Sequence, residues 1–222
     1  MTHRVLLIND DAFELTTLAD AMRLRGINVV GEAHTLVAAQ NLFRTLKPEV
    51  VVIDAHFDGY GGINLTRKMR KENEKLGVVL TTACPDLRLL GLFEKDIPIG
   101  TQVVLKRFLS DLNTLCMAVP ASLEAVSCNE STQWVNRFIS PNEKSFLAIA
   151  ALLTDIQAET LRLVASGMSN GEIGRKRFVS EKSVEQIVAR IASQLGISPD
   201  RNRNLRVLLT NEYNKCIGSP RH

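Results

Sequence analysis

The 222-residue sequence has little cysteine, no long apolar run and no strong excess of either charge. Its four cysteines, Cys84, Cys116, Cys128 and Cys216, are scattered, with no Cys-x-x-Cys pair and no histidine close by. That excludes a disulfide framework and a finger-type zinc site, and it predicts reduced thiols in a cytosolic protein. The longest apolar run, Phe146 to Leu153, is eight residues, well short of the ~20 that a membrane-spanning helix needs. Behind Met-Thr-His-Arg the first apolar stretch is only Val5 to Ile8, too short for the core of a signal peptide. A cytoplasmic protein without a membrane partner is therefore expected. Hydrophobic residues are 45%, charged residues 23% and the net charge +3, which excludes a disordered chain, a collagen-like repeat and a disulfide-dense miniprotein.

Length alone leaves one large domain or two small ones open. The position of the charge says more. Residues 1–119 carry 14 Lys/Arg against 14 Asp/Glu, whereas residues 154–222 carry 11 against 7. The basic character belongs to the C-terminal third and points to an anionic partner there.

The first half alternates short apolar runs with amphipathic stretches. Strands are expected at Val5–Ile8, Ile27–Val30, Val50–Ile53, Gly77–Thr82 and Gln102–Leu105. Helices are expected at Phe13–Arg25, Leu36–Leu46, Asn64–Glu74, Leu87–Glu94 and Ser110–Val119, the last stopping before Pro120. Five strands alternating with helices predict an α/β fold with a doubly wound parallel sheet. Residues after Pro120 read as a linker, followed by an apolar stretch over Glu143–Leu153. Helices then follow at Asp155–Ser166, Ser169–Phe178, Glu181–Leu195 and Asp200–Asn214, an all-α second part.

Polar sites of doubly wound sheets gather at the carboxyl ends of the strands, where the winding reverses. Asp10 and Asp11 follow the first strand and Asp54 the third, so these acids are expected to converge although 43 positions separate Asp11 from Asp54. An oxygen-only cluster of this kind suits Mg²⁺. The fourth strand ends in Thr82 and the fifth in Lys106, a hydroxyl and a cation. Taken singly, Asp10-Asp11 also reads as a helix cap and Lys106 as a solvated lysine. Their joint order resembles the receiver domain of bacterial two-component response regulators, over about residues 3–120. The resemblance implies that Asp54 accepts a phosphoryl group from a histidine kinase. It also implies that Asp11, Asp54 and the backbone carbonyl of His56 hold Mg²⁺, with Asp10 acting through water. Thr82 and Lys106 would contact the phosphoryl oxygens. The sequence departs from the family in having Asp58 where proline is usual, Val103 in place of a switching aromatic, Arg107 after Lys106, and Ile97-Pro98-Ile99.

In the C-terminal third, Thr154 and Gln157 have capping-box spacing. Val184, Ile187, Val188, Ile191 and Leu195 form an apolar stripe, and a short turn joins this helix to the one before it. This is the plan of a helix-turn-helix. Leu153-Thr154, Leu161, Ala165-Ser-Gly167, Ser169-Asn170, Glu172-Ile173, Ser180, Ser183-Val184 and Leu195-Gly196 resemble, in order and spacing, the LuxR-type DNA-binding domain. With a receiver in front, the chain is similar to response regulators of the NarL/FixJ type: residues 1–120 a receiver, 121–150 a linker, and 151–218 a four-helix DNA-binding domain. Glu181–Leu195 would lie in the major groove, with Ser180, Lys182, Ser183, Gln186 and Arg190 facing double-stranded DNA. Arg175 and Lys176 either reach phosphate or complement the negative end of their own helix. Glu185 stands where the family usually has lysine, and Ile187 where a polar residue is common. The resemblance gives the last helix, Asn202–Asn214, the dimer contact and so implies a homodimer; the same helix also reads as packing against the other three.

The expected function is a dimeric DNA-binding regulator, not an enzyme, controlled by Mg²⁺-dependent phosphorylation of Asp54. The alternative keeps the architecture but makes the receiver a phosphorylation-independent module for dimerisation or for sensing a ligand or partner. A third, an Mg²⁺-dependent phosphotransfer enzyme, lacks a second general acid beside Asp54.

Overall fold

The computed structural model describes residues 3–106, 112–135, 152–198 and 203–217, without the side chains of Tyr60 and Cys216. It divides into two compact units, Met1–Thr82 with Glu94–Arg137, and Ala83–Phe93 with Phe138–His222.

In the first unit, β1 (Arg4–Ile8), β2 (Asn28–Ala33), β3 (Val50–Asp54), β4 (Gly77–Thr82) and β5 (Gln102–Leu105) are joined by a sixth strand, β6 (Gln133–Val135). The sheet order is β2-β1-β3-β4-β5-β6, with every neighbouring pair parallel. The expected doubly wound sheet is present with one strand more than the five read from the sequence. Gln133–Val135 is too short to carry a periodic signal; it forms because the edge of β5 offers it a ladder. The helices α1 (Ala12–Leu24), α2 (Leu36–Leu46), α3 (Phe57–Glu72) and α4 (Leu112–Ser127) accompany the sheet. All residues of β3, β4 and β5 are buried, as expected for parallel strands covered on both faces. Val5, Leu7, Val50, Val52, Val79 and Val104 pack with Leu15, Ala19 and Met22 of α1 and with Leu115, Ala118 and Val119 of α4.

Several boundaries differ from expectation; the helix expected from Asn64 already begins at Phe57, and the second strand runs on to Ala33. The helix predicted to stop before Pro120 runs on to Ser127. Proline removes one helical donor, yet Leu115, Ala118, Val119, Ser122 and Ala125 form one buried face across it, and burial of that face outweighs the lost bond. The helix expected at Leu87–Glu94 is instead a 3-10 turn over Leu87–Leu90, with a second at Glu94–Asp96. Asp86 caps the first turn, and Gly91, at φ 75°, ends it in the left-handed region that glycine takes without strain. Arg107 and the second half of the expected linker, 136–150, lie outside the described residues, as does the start of the helix read from Asp200.

The second unit holds α5 (Asp155–Ala165), α6 (Asn170–Arg177), α7 (Glu181–Gln194) and α8 (Leu205–Ile217). Thr154 and Gln157 close the predicted capping box at α5, and Ser169 and Glu172 close another at α6. The turn from α6 into α7 passes through Phe178 at φ 57°. A Cβ on Gly174 would sit 2.7 Å from the Val179 carbonyl oxygen, so only glycine allows this close approach. Leu161, Ile173, Val184, Ile191 and Leu209 make the core. The segment Ala83–Phe93 belongs to this unit. Arg88 bonds Asp86 Oδ2 at 2.7 Å, Asp155 Oδ1 at 2.9 Å and the Leu153 carbonyl at 2.8 Å. The Tyr213 hydroxyl donates to the Leu89 carbonyl at 2.8 Å. Among the described residues no helix is long and apolar enough to cross a membrane.

Candidate functional site

The chain passes from β1 to β2 on one side and returns to β3 on the other, so β1 and β3 flank the point where the winding reverses. Asp54 closes β3 and pairs in register with Thr81 of β4, while Thr82 pairs with Leu105 of β5. Lys106 follows directly. The strand order thus brings Asp54, Thr82 and Lys106 to one edge of the sheet, as expected.

Asp54 is only 2% exposed. Its Oδ2 lies 2.6 Å from Lys106 Nζ, and its Oδ1 accepts from the His56 amide at 3.0 Å. The His56 ring nitrogen Nδ1 is 3.6 Å from the same oxygen. Burial pushes the Asp54 carboxyl up, but the His56 imidazole, the Lys106 ammonium and the His56 amide outweigh it and hold the carboxyl at about 2. Asp54 is therefore an ionised carboxylate in a nearly dry setting, anchored at both oxygens. Thr82 is fully buried at the end of β4. Beyond Asp54 the chain takes φ 50° at Asp58, which the ring of proline forbids and aspartate tolerates. That explains the aspartate where receivers usually carry proline. A Cβ on Gly62 would meet the Asp54 carbonyl at 2.7 Å, so α3 can pass this close to the end of β3 only with glycine there.

The acid pair behaves differently at its two positions. Asp11 is the N-cap of α1, its Oδ1 accepting from the Glu14 amide at 2.9 Å; Asp10 is exposed. Among the described residues no three acidic, histidine or cysteine side chains stand as a ready ligand set for a metal. Mg²⁺ asks for less, one or two carboxylates with the remaining positions filled by water. The carboxylates of Asp11 and Asp54 are hard oxygen donors of the kind that modest demand calls for.

The sequence reading missed Glu14, whose Oε1 lies 2.6 Å from Lys106 Nζ. Lys106 thus bridges two carboxylates. The one signal available was the spacing of Asp11 and Glu14, which points to a helix cap and not to a site.

The expected DNA-contacting residues lie in the second unit. Lys182, Glu185, Gln186 and Arg190 are exposed on α7 while Val184, Val188 and Ile191 are buried. Lys182, Gln186 and Arg190 repeat every fourth position and share one stripe. Ser180 is the N-cap of α7; its Oγ accepts from the Ser183 amide at 3.1 Å and lies 2.8 Å from the Ser183 hydroxyl. Both serines are therefore engaged in forming the helix start. Arg175 and Lys176 are exposed in the last turn of α6, whereas their neighbour Arg177 turns inward to Thr160 Oγ1 at 2.6 Å and Glu159 at 3.4 Å. The exposed charges of α7 cancel, Glu181 and Glu185 against Lys182 and Arg190.

Comparison with known proteins places both units. The family described as response regulator receiver domain matches residues 5–90, and that of bacterial regulatory proteins of the luxR family matches residues 151–202. The transcriptional regulatory protein LiaR of Bacillus subtilis is 28% identical over 200 residues, covering 88% of this chain and 92% of its own. The response regulator GacA of Pseudomonas viridiflava is 26% identical over 209 residues, covering 89% and 91%. Among solved structures, RcsB from Salmonella enterica serovar Typhimurium bound to promoter rprA with the phosphomimetic BeF3⁻ aligns with TM-score 0.52 and 22% identity, over 96% of this chain and 99% of that one. A structure of two RcsB dimers bound to two parallel DNAs aligns with TM-score 0.56 and 21% identity, over 98% and 100%. At such identities these two structures speak for the fold alone.

Proposed function

Because the chain belongs to the response regulators that join a receiver domain to a LuxR-type DNA-binding domain, we propose that it is switched by phosphorylation of Asp54 and acts on DNA as a homodimer, with no enzymatic turnover of its own. It is a DNA-binding two-component transcriptional regulator by family. The acceptor residue, the metal, the dimer, the kinase and the cytoplasmic setting are our reading. The observation that carries it is the Asp54 carboxylate, buried, ionised and bonded to Lys106 at the strand ends.

An Asp54 oxygen attacks the phosphorus of a phosphohistidine on the kinase. The P–N bond breaks, its electron pair stays on the imidazole, and an acyl phosphate remains on Asp54. Lys106 Nζ, already at Asp54 Oδ2, meets the new phosphoryl oxygens and offsets their charge. Thr82, at the adjacent strand end, supplies a hydroxyl to them. Mg²⁺ held by Asp11, Asp54 and the His56 carbonyl, with Asp10 through water, would neutralise charge on the transferring group. On the second unit, Lys182, Gln186 and Arg190 would face the major groove, with Ser180, Ser183, Arg175 and Lys176 against the backbone phosphates.

The test is incubation with a small acyl phosphate and Mg²⁺, followed by intact mass, oligomeric state and retention of duplex DNA, with Asp54→Asn as the control. A single added phosphoryl that is absent from the control and that raises dimer and DNA affinity is expected. Phosphoryl addition with assembly and DNA affinity unchanged would favour the second reading, a receiver that serves dimerisation or sensing without switching. One feature already leans that way: Val103, where an aromatic would swing, is fully buried in β5.

A further inference from the structure

Asp11-Ala12-Phe13-Glu14 has the spacing of a capping box, with Asp11 as N-cap and Glu14 three positions on. At α5 and α6 the residue in that third position closes the box by accepting from the N-cap amide: Gln157 from Thr154 at 2.8 Å, and Glu172 from Ser169 at 2.7 Å. At α1 the Asp11 amide goes instead to Asn9 Oδ1 at 3.0 Å, and Asn9 is 3% exposed. With the amide taken, Glu14 turns to Lys106 and lies 2.6 Å from its ammonium, the same distance as Asp54.

From this arrangement we infer that Glu14 is a positioning residue for the phosphoryl chemistry at Asp54, and that it biases the receiver against the phosphorylated state. The inference rests on Asp54 being the acceptor. One ammonium serves two carboxylates, with side-chain exposures of only 15% for Lys106 and 25% for Glu14. At that degree of burial, charges interact more strongly than in bulk water. Phosphorylation replaces one negative charge on Asp54 by roughly two, at an edge that also carries Asp10 and Asp11. The phosphoryl group needs the whole of the Lys106 ammonium, and Glu14 both competes for it and repels the added charge. Asn9 sets this competition by keeping Glu14 out of the capping box.

Glu14→Gln preserves size and helix position while removing the charge. Wild type, Glu14→Gln and Asn9→Ala are compared with a small acyl phosphate and Mg²⁺, by intact mass. Donor and metal are then removed with a desalting column and chelator, and decay of the acyl phosphate is timed. Glu14→Gln should show a severalfold higher phosphorylated fraction and a longer-lived acyl phosphate. Asn9→Ala frees the Asp11 amide for Glu14 and should shift both readouts in the same direction with the charge still present. A merely structural role for Glu14 would change melting temperature and leave the acyl-phosphate lifetime alone. If wild type takes the phosphoryl and Glu14→Gln matches it or falls below it in both readouts, the inference is overturned while the acceptor assignment stands. If neither protein takes the phosphoryl group, the acceptor assignment fails and this inference falls with it.

Discussion

Replacing Lys106 with Met removes the cation that two carboxylates share and leaves Asp54 buried without its main charged partner. Asp54 is held at about 2 against an ordinary 3.8. The folded-state value is depressed, so the stability it represents is present above the unfolded value and is lost as pH falls from about 4 towards 2. That gap corresponds to about 2 kcal/mol. Without Lys106, burial is opposed only by His56, and the Asp54 carboxyl rises towards or beyond its ordinary value. Lys106→Met should therefore cost about 2 kcal/mol at neutral pH, somewhat below the ~3–5 kcal/mol for breaking a fully buried pair, since Glu14 is partly solvated. Trp134, the one tryptophan, lies in β6 of the same unit, so urea unfolding can be followed by its fluorescence. With divalent cations chelated, the difference in stability between wild type and variant should be largest at pH 7 and shrink towards zero as the pH approaches 2. A difference that stays constant across that range, or that grows as the solution is acidified, would refute the claim that Lys106 keeps Asp54 ionised.

In the second unit, Arg88→Ala strips the cation from Asp86, which is only 6% exposed, and removes the bonds to Asp155 and the Leu153 carbonyl. About 2 kcal/mol should be lost from the helical unit; helix melting by circular dichroism should move down while the Trp134 transition stays in place. Glu185→Lys converts the balanced α7 surface to a net positive one. Binding to random-sequence duplex DNA should tighten, and the slope of log affinity against log salt should steepen by about one, the contribution of one further phosphate contact. An unchanged slope would place residue 185 away from the DNA backbone.

Those features of the fold that follow from local chemistry were open to reading. Val50-Val-Val-Ile ends in Asp54, and a β-branched run between Pro48 and an acid allows little besides a buried strand. Thr154 with Gln157 marks a helix start because two backbone donors need partners. The meeting of Asp54 with Lys106, 52 positions apart, was also legible, since alternating strands and helices force parallel strand ends to one edge. The features missed depend on what the chain packs against. Pro120 ends a helix on local grounds, and only the buried face shared by Val119 and Ser122 carries it through. Gln133–Val135 becomes a strand because Thr101 and β5 stand beside it. Leu87–Leu90 is apolar enough for a helix, but Asp86 and Gly91 close it after a single turn.

Glu14 shows the same limit within the site. A carboxylate three positions after an N-cap aspartate has two partners within reach, the cap amide and whatever the neighbouring strand end offers, and spacing alone cannot rank them. The ranking comes from Asn9, a buried side chain two positions before the cap, whose Oδ1 accepts from that amide. Once that donor is taken, Lys106 is the strongest remaining partner for a partly buried carboxylate. A residue that reads as helix punctuation thus becomes part of the charge balance around Asp54, through a hydrogen bond that involves neither Glu14 nor Lys106.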